Sequence, residues 1–148
     1  MMSFTVTLWQ PEAADEPRLA ALFNVFQVLR PHLDLHEFSQ RVCRQAAEGY
    51  RIAYIEEGGQ VLAVAGFRVV HFLAWGRVLY LDDLVTDPGQ KRRGLAGALL
   101  DWLKQHAAAE GCTELHLDSG YQRHDAHRLY LNQGMVMNCH HFAVPVKA

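Results

Sequence analysis

Residues 81–100 read LDDLVTDPGQKRRGLAGALL, and this stretch decides the fold. A strand over 78–85 is followed by the chain-reversing Asp87-Pro88-Gly89, then by Lys91-Arg92-Arg93-Gly94-Leu95-Ala96-Gly97, which opens a helix. Leu95, Leu99 and Leu103 recur at four-residue spacing and form its apolar side. The first turn of a helix has backbone N–H groups without intrahelical partners and carries the positive end of the macrodipole. The small residues Gly94, Ala96 and Gly97 allow a ligand close to that backbone, and three cations directly precede them. Together they predict a seat for a pyrophosphate or a similarly dense anion. Two well-known phosphate motifs are excluded. Gly89 and Gly94 have P-loop separation, but Leu95-Ala96 stands where Lys-Ser/Thr is required, and no Gly-x-Gly-x-x-Gly occurs here.

Outward from this stretch the elements alternate in type. Residues 4–9 alternate apolar and polar and read as a strand. Asp15 and Pro17 open a helix with Leu19, Leu22, Phe23, Phe26 and Leu29 on one side, and Pro31 stops it. Asp34 and Glu37 form a capping-box-like start for a second helix, whose predicted inner face is Leu35, Phe38, Val42 and Ala46, with Gly49 at its end. Residues 50–56 and 60–72 are two strands joined by a Glu57-Gly58-Gly59 turn. Trp75-Gly76 turns the chain into the strand before the cationic loop. After the loop helix, which ends near Glu110-Gly111, residues 114–117 are a strand, 125–133 a helix closed by Gly134, and 135–146 a final strand. A meander followed by strand-helix-strand-helix predicts a mixed α/β sheet flanked by helices. At 148 residues the chain is read as one domain, 1–148.

Bulk properties narrow the function classes. Half of the residues are apolar, a fifth are charged and the formal net charge is −2. That balance argues against nucleic acid or an anionic membrane as partner. No apolar run reaches membrane-spanning length, and the first ten residues lack a signal-peptide pattern. Cys43, Cys112 and Cys139 read as reduced thiols, with Cys112 and Cys139 as small buried residues, which points to the cytoplasm. Nine histidines invite a metal reading, but His124/His127 and His140-His141 have no evident third ligand, and no metal is expected.

Lys91-Arg92-Arg93-Gly94-Leu95-Ala96 resembles the Gln/Arg-x-x-Gly-x-Gly/Ala motif of the GNAT superfamily, the acetyl-coenzyme A-dependent N-acyltransferases, departing from it at Lys91. Arg123-His124-Asp125-Ala126, then Leu129-Tyr130 and Gly134-Met135, is similar to the later Asn-x-x-Ala, Tyr and Gly-Phe signals, with Arg123 and Met135 as departures. The order of elements is also similar, so the resemblance covers nearly the whole chain. It implies a central, mostly antiparallel sheet with a splayed strand pair and about four helices. It also implies acetyl transfer from acetyl-coenzyme A to a primary amine of a small molecule or peptide by direct attack. By the same resemblance Leu84, Val85 and Thr86 pair with the pantetheine arm, residues 91–97 hold the pyrophosphate, and Arg123 lies on the coenzyme side. Ser119-Gly120 would touch the end of the arm, and Arg30-Pro31-His32 would border the acceptor.

The resemblance implies that Tyr130 is the proton donor to the departing thiolate, a role open to a phenol that, with its usual pKa near ~10, is protonated at neutral pH. Read from its helix alone, where Ala126, Leu129 and Tyr130 share a side, it is a core aromatic. Asp82 and Asp83 are the candidate bases. Adjacent strand residues face opposite ways, so at most one should enter the cleft, and Asp83 is nearer the splay. The alternative for either is a bulge or an arginine pair. His116 and His141 are further candidate bases, with a structural hydrogen bond as their competing role. A coenzyme A-binding sensor that has lost efficient chemistry is the competing function. The usual fold ends in two strands, and the short tail after Gly134 leaves an open edge to which a second subunit could pair in a homodimer.

Overall fold

A computed structural model describes residues 3–11 and 16–147, and the chain divides into two compact units, 1–117 and 118–148. The first unit holds β1 (Thr7–Trp9), α1 (Glu16–Leu29), α2 (Leu35–Ala47), β2 (Arg51–Glu57), β3 (Gln60–Phe72), β4 (Gly76–Thr86), α3 (Leu95–Ala109) and β5 (Glu114–Leu117). The strands form one sheet in the order β1-β2-β3-β4-β5. The first four are antiparallel and β5 runs parallel to β4. The expected mixed, mostly antiparallel sheet is therefore observed, with four α-helices among the described residues.

Local chemistry accounts for the punctuation. Gly58 and Gly59 both have positive φ, 57° and 80°, as a two-residue hairpin of the twist-matching kind requires. Asp34 caps α2 by accepting from the Glu37 N–H at 2.8 Å. α1 ends at Leu29, two residues before Pro31. Asp15 lies outside the described residues. Leu35 departs from the expected inner face and is 40% exposed, because it is the first residue of α2, while Phe38, Val42 and Ala46 are buried.

Helices cover both faces of the sheet. On one face Leu19, Leu22, Val25 and Phe26 of α1 join Phe38 and Val42 of α2 in a cluster with Tyr50, Ile52, Val64 and Val85. On the other, Phe67 packs edge-on against Trp102 and His106 of α3, and Leu95, Leu99 and Leu103 are buried as their spacing predicts. The central strand β3 is buried at every position from Val61 to Phe67, the pattern of a strand covered on both sides.

Two irregularities shape the site. Gly66 pairs with Asp83 and Phe67 with Leu81, so Asp82 is an extra residue bulged out of β4. β5 pairs with β4 only from Val78 to Leu81, so residues 82–86 continue past the end of β5 with one backbone edge not paired to it.

The second unit contains α4 (His124–Asn132) and residues 135–147, which form no regular element. The final strand read over 135–146 is thus absent. Phe142, Val144 and Val146 have the alternation of a strand, but they are 90%, 78% and 89% exposed. Alternation sets which face a strand would bury; it does not supply the neighbouring strand needed for its hydrogen bonds. Within this unit Tyr121 Oη and His140 Nδ1 are 2.8 Å apart, and His141 Nδ1 and Asp118 Oδ2 are 3.2 Å apart. Cys139, expected to be buried, is exposed on the same segment.

Candidate functional site

The bulge puts both acidic residues of β4 into one polar cluster with Tyr50. Asp82 takes a bidentate pair of hydrogen bonds from Arg68, Nε to Oδ1 at 3.1 Å and Nη2 to Oδ2 at 2.7 Å. Arg68 also lies over the Tyr50 ring, 5.3 Å from its centroid. Asp83 Oδ1 accepts from Arg30 Nε and Nη2 at 3.0 and 2.7 Å, and its Oδ2 accepts from the Tyr50 hydroxyl at 2.7 Å. Arg30 reaches the Asp82 carbonyl as well, at 3.4 Å. Both carboxylates are thus paired with arginines, the alternative weighed against a base. Asp83 borders an open cleft of about 240 Å³ with Tyr50 and Arg30.

Burial, the charge of Asp83 and its hydrogen bond push the Tyr50 phenol well above its usual range, so Tyr50 is held as a donor. Burial raises the carboxyl of Asp82 by more than its Arg68 bond lowers it.

Gly66 makes this cluster sterically feasible. A Cβ there would overlap the Tyr50 hydroxyl and ring carbon and stand 2.9 Å from Asp83 Oδ2. Tyr50, Gly66 and Arg68 are the members that the sequence reading did not assign. A glycine inside an apolar strand was the available signal, since such a residue marks a close approach.

Residues 84–86 are the last three of β4. Leu84 and Val85 bury their side chains, so their backbone is what they present along the edge that β5 does not pair. Asp87 then accepts from Gly89 N–H at 3.0 Å and begins a 3-10 turn, Pro88–Gln90, which the sequence reading did not foresee. The helix begins at Leu95, later than the cationic run. Arg92 and Gly94 have left-handed backbones, with φ of 67° and 79°. Gly94 is the N-cap and supplies no side-chain cap. Lys91 and Arg92 are exposed. Arg93 is instead engaged by Gln90 Oε1 at 2.7 Å and by both oxygens of Glu57 at 3.1 and 3.0 Å. Cations at a helix N-terminus oppose the macrodipole by roughly 0.3–1 kcal/mol each, a cost that a bound anion reverses. An uncapped start with glycine at its cap and exposed cations before it therefore fits a pyrophosphate.

In the second unit, Tyr130 lies on α4 and Arg123 is the N-cap residue at its start. Burial raises the Tyr130 phenol, and the Arg123 charge lowers it by less. Tyr130 is accordingly protonated at neutral pH and available as a donor. Ser119 Oγ is buried in the loop before α4. His116 is 2.9 Å from Glu114 and stacked on Trp75 with centroids 4.1 Å apart, an arrangement that fixes the ring at the sheet edge. Among the described residues no group of three or more His, Cys, Asp or Glu is placed to hold a metal, and no helix is long and apolar enough to cross a membrane.

Residues 17–135 match the Acetyltransferase (GNAT) family. The chain is 31% identical over 130 residues to YhdJ of Bacillus subtilis (strain 168), described as an uncharacterized N-acetyltransferase, covering 86% of this chain and 91% of that one. Among solved structures it is similar to a GNAT family acetyltransferase of Staphylococcus aureus, with a TM-score of 0.80 at 16% identity over 98% of this chain and 100% of that one. It is also similar to the aminoglycoside N-acetyltransferase AAC(6')-Iy in complex with CoA, with a TM-score of 0.78 at 13% identity over 99% and 98% of the two chains.

Proposed function

The chain belongs to the acetyltransferase (GNAT) family, and on that premise we propose that it moves the acetyl group of acetyl-coenzyme A to a primary amine of a small molecule or peptide by direct attack. The observation that carries this reading is the sequence of features along β4. Asp83 borders a cleft, residues 84–86 carry a backbone edge that β5 does not pair, and the chain then enters an uncapped, cation-flanked helix start. An acceptor, a thioester arm and a pyrophosphate need those three surfaces in that order.

Acetyl-coenzyme A supplies the activated acyl group as a thioester. The amine nitrogen forms the new C–N bond as the C–S bond breaks; the amine gives up a proton and the thiolate takes one. Asp83 is assigned the amine's proton, directly or through water, with Tyr50 and Arg30 holding the carboxylate in place. Residues 84–86 orient the arm, and the backbone N–H near Val85 polarises the thioester carbonyl. Lys91, Arg92 and the N–H groups of residues 94–97 bind the pyrophosphate. Arg93 contributes after exchanging Glu57 for phosphate, and Arg123 adds charge on the coenzyme side. Tyr130 returns a proton to the thiolate. The odd number and wide spacing of the cysteines support reduced thiols and a cytoplasmic enzyme.

One observation favours a coenzyme-binding protein without turnover: Asp83 already accepts three hydrogen bonds. Thiol release from acetyl-coenzyme A over a panel of amines separates the two. Turnover with one amine class, lost in Tyr130→Phe while coenzyme binding persists, supports the enzyme. Coenzyme binding without turnover of any amine supports the sensor, and no binding removes both.

A further inference from the structure

We propose that the cleft beside Asp83 selects an α-amino acid with an apolar side chain, and that Arg41 binds its carboxylate. This assignment rests on the acetyl-transfer reading and names the acceptor class for it.

Size, polarity and charge all bear on the choice. The cleft measures about 240 Å³, below the roughly 300–1,000 Å³ of pockets that enclose drug-sized ligands. Phe26, Leu33, Phe38 and Val42 give it an apolar wall. Phe26 and Phe38 meet with centroids 5.2 Å apart and are themselves buried, so the wall is rigid.

Two arginines, Arg30 and Arg41, line the cleft against a single carboxylate, that of Asp83. Arg30 is committed to Asp83. Arg41 is not so held: it pairs with Glu37, one turn earlier on α2, through one contact of 3.5 Å. Both of those side chains are about half exposed, 52% and 48%, and such a pair is weak and readily exchanged. A ligand carboxylate can therefore take Arg41 into a charge-assisted hydrogen bond while the apolar side chain covers the phenylalanine wall. Polycationic amines such as polyamines or aminoglycosides would bring further positive charge toward two arginines, an arrangement that selects against them. Transfer to the α-amine follows the bond changes given above and yields an N-acetylamino acid and coenzyme A.

The experiment compares L-leucine, L-methionine and L-phenylalanine with their methyl esters and with spermidine, using full-length protein and acetyl-coenzyme A. At least one free amino acid should exceed its own ester and spermidine in kcat/KM by ~10-fold or more, the size expected for one charged hydrogen bond. Arg41→Gln should raise KM for that amino acid ~10-fold with kcat nearly unchanged, and Arg41→Lys should recover part of the loss. Preference for the ester or for spermidine, or a KM indifferent to Arg41→Gln, overturns the proposal and leaves acetyl transfer standing. Calorimetric binding of the same amino acids to protein without coenzyme keeps the two failures apart. Binding that depends on Arg41 supports the cleft assignment even if no thiol is released, whereas no binding and no amino acid turnover overturn it.

Discussion

The cleft around Asp83 and the loop around Gly94 solve opposite problems with opposite materials. The cleft is built from side chains distant in sequence: Arg30 reaches Asp83 across 53 positions, Tyr50 across 33, and Arg68 reaches Asp82 across 14. The loop is built from consecutive backbone groups in unusual conformations, with Arg92 and Gly94 both left-handed. One places charge by pairing it, the other by leaving a helix end uncapped. The first should therefore fail by loss of a partner and the second by loss of a conformation.

The sharpest way to separate them is Asp83→Asn. It keeps the shape of the cleft and removes the assigned proton acceptor, so kcat/KM should fall by ~10² or more while coenzyme affinity stays within a few-fold. An equal loss of coenzyme binding would show that the two regions are not independent. Next in size is Gly66→Ala, whose added methyl overlaps Tyr50. Denaturant unfolding should show about 1–3 kcal/mol of destabilisation, as for other overpacked interiors. In a Tyr50→Phe background the same substitution should cost less, because the hydroxyl is gone; equal costs would break the steric account.

In the loop, Gly94→Ala meets no atom within 4 Å of the new Cβ, so its penalty is conformational alone, about 1–2 kcal/mol. Arg92→Gly should act in reverse, stabilising the fold by about 0.5 kcal/mol while weakening coenzyme binding. The smallest effect is with pH. The Tyr50 phenol is raised in the folded state relative to its unfolded value near ~10. The folded protein thus holds that proton more tightly, and the associated stability is complete below pH ~10 and declines as pH rises above it. Unfolding titrations should show this alkaline decline in the parent protein and a shallower one in Tyr50→Phe.

The same contrast explains what could be read in advance. Contiguous features were legible: the Gly58-Gly59 hairpin, the Asp34 cap, the leucine face of α3 and the glycine after the cationic run all depend on neighbours a few positions away. Arg93 was read with that run, but Glu57, 36 positions earlier, holds it, a partner that local spacing cannot reveal. The Tyr50–Asp83 bond was illegible for the same reason, although Gly66 marked the spot. Asp82 and Asp83 were expected on opposite faces by simple alternation, and a one-residue bulge overrides that rule. The tail failed differently, since alternation at Phe142, Val144 and Val146 describes a strand's preference without its neighbour.

The left-handed backbone at Arg92 has a kinetic consequence. A loop already held in its uncommon geometry has little ordering left to do when an anion arrives, so capture is limited by encounter and not by rearrangement. Association of acetyl-coenzyme A should then follow a single exponential that accelerates linearly with ligand concentration and slows as added salt screens Lys91 and Arg92.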